Sequence, residues 1–297
     1  MIPIENNDQV FLSIIIPMFN AEEYIESAIL SILNQDKHCI LFEIIIVDDA
    51  STDKSVELLN KLIQSSNSDK INLCKLPINM GTAHARNVGI KTAKGNWILF
   101  MDSDDKLGKN LFLTFQNSFD PHFNCYIYGV CNEFKDRIEK YEIYKLNDKR
   151  AIGICGVVWN KILHKSIIVD FKEEFKFEDT CFLIDIMNNK EINIKLLEGT
   201  YYQYNKTIPS SKMAIFNVQE FKNMYDYVFS QIKHSDELTK MYILETFVGV
   251  IFSKDLPLKS RVFIAIKTLF RLFKYVPKVI KDPIWHWIKI SKASVYN

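Results

Sequence analysis

Glycine and proline are scarce in this sequence, nine and eight of 297 residues, which excludes a collagen-like or low-complexity chain. Charge of one sign is missing too. Lys and Arg number 37 against 36 Asp and Glu, a formal net charge of +1, so no global field draws the chain to nucleic acid, and an electrostatic partner must be met by a local patch. No apolar run reaches the roughly 18 residues that crossing a bilayer takes. The six cysteines, Cys39, Cys74, Cys125, Cys131, Cys155 and Cys181, form no C-x-x-C pair and no Cys/His set at zinc spacing. They are expected as reduced core thiols. The six histidines make no H-x-H or H-E-x-x-H pattern, and neither G-x-x-x-x-G-K-[ST] nor G-x-G-x-x-G occurs. That removes the P-loop and dinucleotide readings. The first residues, MIPIENNDQV, lack a basic region followed by an apolar stretch, so the expected compartment is a reducing cytoplasm.

What is present is an ordinary globular composition, 48% hydrophobic and 25% charged. The first hundred residues alternate strand and helix. Phe11 to Ile16 is a short β-branched run of the kind buried on both faces of a sheet, with Pro17 expected to end it. Asn20 is a good helix N-cap, and Tyr24, Ile25, Ala28, Ile29, Ile32 and Leu33 fall at helical spacing. Further strands are expected over 42–47, 71–76 and 97–101, with helices to about Gln64 and over Thr82 to Lys94. This β-α-β-α-β-α-β order predicts an α/β fold, a mainly parallel sheet with helices on both faces. From Lys106 to Ser211 the pattern is mixed: a helix near 109–119, a strand over Cys125–Cys131, a helix starting near Trp159–Lys165, and another from Glu178-Asp179 through Met187. Beyond Met213 the chain reads as helical, interrupted by Pro257, Pro277 and Pro283.

Open parallel sheets bind ligands beyond the carboxyl ends of their strands. Polar residues collect there: Asn20 after the first strand, Asp48 and Asp49 after the second, Asn79 after the third, and Asp102, Ser103, Asp104 and Asp105 after the fourth. Carboxylates two apart at a strand exit suit Mg²⁺ or Mn²⁺ held together with substrate phosphates. They equally suit a turn capped by aspartates. Ser51, Thr52 and Asp53 supply at least one helix cap, but Asp48 sits earlier, at the strand tip, where its carboxylate can accept from a base N–H. Arg86 is either part of a solvated helix face or a charge-assisted donor to a diphosphate. Glu178 and Asp179 are either acids favoured by a helix N-terminus or a general base among apolar neighbours.

The residues from Leu258 carry nine Lys and Arg, from Lys259 to Lys292, against Asp282 alone, interleaved with Phe263, Phe270, Phe273, Tyr275, Trp285 and Trp287. This suits an anionic membrane surface, or a helix with a cationic outer face packed on the rest of the chain.

Four ordered segments carry a resemblance: Ser13-Ile14-Ile15-Ile16-Pro17-Met18-Phe19-Asn20, Val47-Asp48-Asp49-Ala50-Ser51-Thr52-Asp53, Asn79-Met80-Gly81 with Ala85-Arg86-Asn87-Val88-Gly89, and Met101-Asp102-Ser103-Asp104-Asp105. In order and spacing the sequence resembles family 2 glycosyltransferases of the GT-A fold. Trp159-Asn160-Lys161 and Phe177-Glu178-Asp179-Thr180 are similar to segments of bacterial polysaccharide glycosyltransferases. The resemblance implies an inverting transferase that moves a sugar from a nucleotide diphosphate, commonly UDP, to the hydroxyl of a glycan or lipid-linked acceptor, peripheral on the inner face of the cell membrane. Pro17, Phe19 and Asn20 would lie by the base and ribose. Asp48 would bind the base, and Arg86 would approach the base or diphosphate. Asp102 would face ribose or metal, and Asp104 would be the principal ligand of Mn²⁺ or Mg²⁺. Asp179 would be the base, with Glu178 second. Phe19 stands where tyrosine is more usual and lacks its hydroxyl. Residues 1–106 are then expected as the nucleotide-sugar half, 107–212 as the acceptor half and 213–297 as a helical, basic and aromatic region. The rival reading is a non-catalytic sugar-nucleotide-binding partner of an assembly complex.

Overall fold

The computed structural model describes residues 12–36, 40–66, 69–141, 152, 157–175, 178–189, 191–207, 218–232, 234–236, 239–240 and 242–243. In chain order these form β1 (Leu12–Met18), α1 (Ile25–Leu33), β2 (Phe42–Asp48), α2 (Ser55–Ser66), β3 (Ile71–Lys75), α3 (Thr82–Thr92), β4 (Trp97–Phe100) and β5 (Lys106–Leu107). There follow α4 (Leu111–Ser118), β6 (Cys125–Glu133), β7 (Ile138–Tyr141), β8 (Lys161–His164), α5 (Glu178–Asn189), β9 (Ile194–Asn205) and α6 (Val218–Gln231).

Every residue of β1 and β2 is buried, because successive side chains of a strand face opposite sides and both sides are covered. Ile14, Ile16, Ile44 and Ile46 pack in one core with α1 and α4, while Ile15, Ile45 and Val47 pack in a second core with α3, α5 and α6. The sheet runs β3-β2-β1-β4-β8-β6-β9-β5, with β7 beside β6. Strands β3, β2, β1 and β4 are mutually parallel, β8 is antiparallel to both its neighbours, and β6 and β9 are parallel. The chain passes from β1 to β2 and β3 on one side and returns to β4 on the other. That reversal makes the carboxyl ends of β1 and β4 the switch point where a ligand crevice opens.

Three local expectations change. Pro17 does not end β1, which continues through a Pro17–Val47 pair to Met18. Pairing with β4 stops at Ile15–Phe100, so the missing proline N–H falls where that ladder has already ended. Asn20 is not a helix cap: its φ is +49° and α1 begins only at Ile25, after a turn in which Ile25 N–H donates to Ala21 O. The helix expected near Trp159–Lys165 is instead β8, held between β4 and β6 through the pairs Leu99–Ile162 and Tyr126–Ile162. Ile162 faces one core and Leu163 the other, the alternation of a strand buried on both faces.

Cys74, Cys125, Cys131 and Cys181 are free thiols, and burial pushes the Cys125 thiol up to about 12. Among the described residues no helix is long and apolar enough to cross a membrane. Cys39, Cys155 and the basic, aromatic stretch 258–297 lie outside the described residues.

Helix α3 lies tight on the sheet because residue 89 has no side chain; a Cβ there would collide with the Ile15 side chain. Gly89→Ala is therefore expected to lower stability by about 1–3 kcal/mol, the usual cost of overpacking a filled core. Chemical denaturation measures it, and an unchanged midpoint would contradict the close approach of α3 to β1.

Candidate active site

The tips of β1 and β2 are interlocked. Asn20 Oδ1 accepts from Thr52 N–H at 2.8 Å, and Asn20 N–H donates to Ser51 Oγ at 3.0 Å. Ala21 N–H donates to Ser55 Oγ at 2.7 Å, Glu22 N–H to Asp53 Oδ2 at 3.0 Å, and Lys54 N–H to Glu22 Oε2 at 2.9 Å. Asp53 also receives Ser55 N–H at the start of α2. Burial opposes its ionisation, yet these bonds hold its carboxyl below the usual range. Asp48 is buried and accepts from Ser51 N–H at 3.1 Å. Asp49 reaches across to α3, its two oxygens accepting Met80 N–H at 2.7 Å and Gly81 N–H at 2.8 Å. Gly81 has φ +90°, a conformation that favours glycine. Pro17 is buried within β1, whereas Phe19 and Asn79 are exposed.

Arg86, on α3, has its side chain only 2% exposed. Nη2 donates to Asp102 Oδ1 at 2.9 Å; Nη1 donates to Glu178 Oε1 at 3.1 Å and to Asp179 Oδ1 at 2.5 Å. Burial works against the charge, but Asp179, Asp102 and Glu178 outweigh it and hold the guanidinium more firmly protonated than usual. The neighbouring Asn87 holds the approach to α5, donating to Phe171 O and Glu173 Oε1 and accepting Phe171 N–H. Thus two consecutive side chains of α3 fix the segment that carries Glu178 and Asp179.

The loop Asp102–Asp105 after β4 is held from the far side by β9. Asp102 N–H donates to the Tyr202 hydroxyl at 3.0 Å, Asn205 N–H donates to Asp105 Oδ1 at 2.7 Å, and Asn205 Nδ2 donates to Asp104 O at 3.3 Å. Asp105 Oδ2 is buried without a hydrogen-bond partner. Burial and then the charges of Asp102 and Asp104 push the Asp105 carboxyl well above the usual carboxylate range. Crowded hard oxygens of one sign are the chemistry a divalent cation fits. Among the described residues no three His, Cys, Asp or Glu side chains converge as a metal cluster, so Mg²⁺ or Mn²⁺ would need substrate phosphate oxygens beside Asp104 and Asp102, a common arrangement for Mg²⁺.

A third segment reaches Asp179 from residues 157–161. Val158 N–H donates to Asp179 Oδ2 at 3.3 Å. Lys161, fully buried, donates from Nζ to Val157 O and to Asn160 Oδ1, both at 2.6 Å. Asn160 Nδ2 donates to Tyr128 O, and the Tyr128 hydroxyl donates to Trp159 O at 2.7 Å. Trp159 stacks on Tyr202 and Tyr204, with ring centroids 4.2 and 5.3 Å apart.

Of the residues expected from sequence, Arg86, Asp102, Glu178 and Asp179 meet directly. The resemblance points Arg86 toward base or diphosphate; in the structure its guanidinium faces three carboxylates. Asn20 and Asp48 form a separate group at the β1 and β2 tips, and Ser103 and Asp104 are partly exposed in the β4 loop. The sequence reading missed the supports: Asp49 as a bridge to α3, and Tyr202 and Asn205 on β9. The β-branched and aromatic run Thr200-Tyr201-Tyr202-Gln203-Tyr204 was the available strand signal.

The model of the family described as glycosyl transferase family 2 matches residues 13–184. An uncharacterized glycosyltransferase of Haemophilus influenzae is 45% identical over 200 residues, 63% of this chain and 74% of that protein. The poly(ribitol-phosphate) beta-glucosyltransferase of Bacillus spizizenii is 28% identical over 86% of this chain, which spans only 42% of that protein's length. Among solved structures, S. aureus TarS 1-349 in complex with UDP-GlcNAc aligns at TM-score 0.61 and 22% identity, covering 94% of this chain and 79% of that one. The mannosyltransferase PcManGT of Pyrobaculum calidifontis, in complex with GDP-Man and Mn²⁺, aligns at TM-score 0.60 and 13% identity, covering 96% and 80%.

Arg86→Met leaves three carboxylates facing one another without their cation. Removing one partner of a buried ion pair costs about 3–5 kcal/mol, so a large fall in Tm is expected by calorimetry, and a Tm within a degree of wild type would contradict the network.

Proposed function

This chain belongs to glycosyl transferase family 2, with the GT-A fold of that bacterial polysaccharide group, and we propose that it transfers a sugar from a nucleotide diphosphate, UDP first, to an acceptor hydroxyl with inversion. The observation that carries the reading is the Arg86 bridge, which sets Asp102, at the end of a parallel strand beside the switch point, against Asp179 at the start of α5. In this reading the strand end that meets the donor and the carboxylate that serves as base are joined by one arginine. Support for UDP and for a surface-polysaccharide acceptor comes from the UDP-GlcNAc complex and the poly(ribitol-phosphate) transferase among the relatives.

In this mechanism Asp179 accepts the proton of the acceptor hydroxyl as that oxygen attacks the anomeric carbon from the face opposite the nucleotide. The bond from the anomeric carbon to the diphosphate oxygen breaks, and negative charge grows on the leaving diphosphate. Asp104, with Asp102, would hold a divalent cation whose contribution, when bound, is to offset that charge. Asp48 accepts from the base, while Pro17, Phe19, Asn20, Asn79 and Ser103 line the donor. Glu178 shares Arg86 with Asp179 and keeps the guanidinium in place. Residues 1–106 then serve the donor and 107–212 the acceptor. The stretch 258–297 meets an anionic membrane surface from the cytoplasmic side, next to a lipid-linked acceptor.

Thermal unfolding against UDP, GDP, CMP and TDP, with Mn²⁺ or a chelator, tests the donor class. A ligand confined to the folded state adds about 2.7 kcal/mol at a hundredfold excess over Kd. The expected result is a UDP-selective, Mn²⁺-dependent rise in Tm that Asp104→Asn abolishes; the same rise in that variant would remove Asp104 as the ligand. Asp179→Asn is expected to bind UDP normally while losing transfer by about 10²–10⁴-fold, the scale of general-base catalysis. Turnover near wild type in that variant would sink the base assignment.

A further inference from the structure

Lys161 takes no part in the mechanism above, yet it is fully buried and sits one peptide away from Asp179. The Nζ donates to Val157 O at 2.6 Å, and the N–H of the same peptide unit, that of Val158, donates to Asp179 Oδ2 at 3.3 Å. In a planar trans peptide the C=O and N–H point in opposite directions, so the unit carries its dipole from the ammonium to the carboxylate. We propose that Lys161 is a positioning residue for Asp179, acting through the Val157–Val158 peptide. This rests on the reading of Asp179 as the base.

The geometry supplies the reason for a cation here. A carboxylate that must approach an acceptor hydroxyl needs its two oxygens fixed in plane. Asp179 Oδ1 is fixed by Arg86 and Oδ2 by the Val158 N–H. A peptide at a loop is free to rotate about its flanking bonds, and a rotation would turn the N–H away and bring the carbonyl oxygen toward the carboxylate. The ammonium pins that oxygen on the far side, as a charge-assisted bond stronger than a neutral one. Asn160 Oδ1 takes a second Nζ proton, and its own amide is held on Tyr128 O, so the lysine head is itself fixed. Asn160 and Lys161 thereby connect β6 and β8 to the start of α5.

The test compares Lys161→Met, Asp179→Asn and the double variant in the full chain. Three quantities are read: the unfolding equilibrium in denaturant, UDP affinity with Mn²⁺, and UDP release from a panel of UDP-sugars. If the relay holds, Lys161→Met lowers kcat at least tenfold with UDP affinity within threefold of wild type, and the loss vanishes in the Asp179→Asn background. The unfolding constants of the double variant then differ at least fivefold from the product of the two single changes, since linked residues are not additive. Additive effects, or a parallel fall in UDP affinity and kcat, would overturn the proposal. Lys161→Gln, which keeps a neutral donor, is read the same way if Lys161→Met does not fold; failure of both to fold would make Lys161 a core residue only and also overturn it. Wild-type turnover in Asp179→Asn with the unfolding coupling intact would leave the peptide link standing and reject the base reading instead.

Discussion

A guanidinium buried to 2% exposure keeps its charge, and burying it is tolerable only where carboxylates replace the water it has lost. Arg86 has three of them, from Asp102, Glu178 and Asp179, and that requirement organises the molecule around it. The arginine reaches the crevice because α3 lies close on β1, which the bare Cα of Gly89 permits. Its partners come from the end of β4 and the start of α5, so the ion pairs join the parallel half of the sheet to the helix that follows β8. One positive charge against three negative ones leaves the cluster acidic, and the further aspartates of the β4 loop deepen that potential. That surplus of negative charge is what the proposed divalent cation would offset.

Much of this was legible in sequence because it is local. The β-branched runs of β1 and β2, the apolar spacing of α1, and the acids at the strand tips each declare themselves within ten residues. Glu178 and Asp179 were legible as the start of a helix, but their partner Arg86 lies at the other end of a long stretch of chain, and only the fold brings them together. Asn20 looked like a cap because asparagine usually is one; it also tolerates a left-handed backbone, and here it uses that property to clasp the loop after β2. The segment Lys161–His164 is too short for periodicity to choose between helix and strand. Its fate as β8 is decided by the gap between β4 and β6, which no local pattern reports.

The β9 strand was the larger omission, and it is the one that completes the site. Tyr202 meets Asp102 N–H through its hydroxyl, and Asn205, at the end of the strand, meets Asp105 and Asp104. Two of these bonds go to the backbone of the acidic loop, at Asp102 N–H and Asp104 O, and the third holds the Asp105 carboxylate. A loop carrying several carboxylates in close quarters repels itself; the Asp105 carboxyl is pushed up first by burial and then by the charges of Asp102 and Asp104. Support from a neighbouring strand keeps the carboxylates together before any counter-charge arrives.

The tips of β1 and β2, the proposed nucleotide side, are held in the same way. Asn20 and Ala50 both have left-handed backbones, a conformation that costs alanine free energy and persists only where the surroundings enforce it. The crossed hydrogen bonds between Asn20–Glu22 and Ser51–Ser55 supply that enforcement. Both sides of the crevice are thus set by interactions internal to the chain, which is the condition under which positioning and electrostatics lower a barrier without reorganisation. In the proposed reaction these fixed elements would address the base and diphosphate of the donor and the hydroxyl of the acceptor.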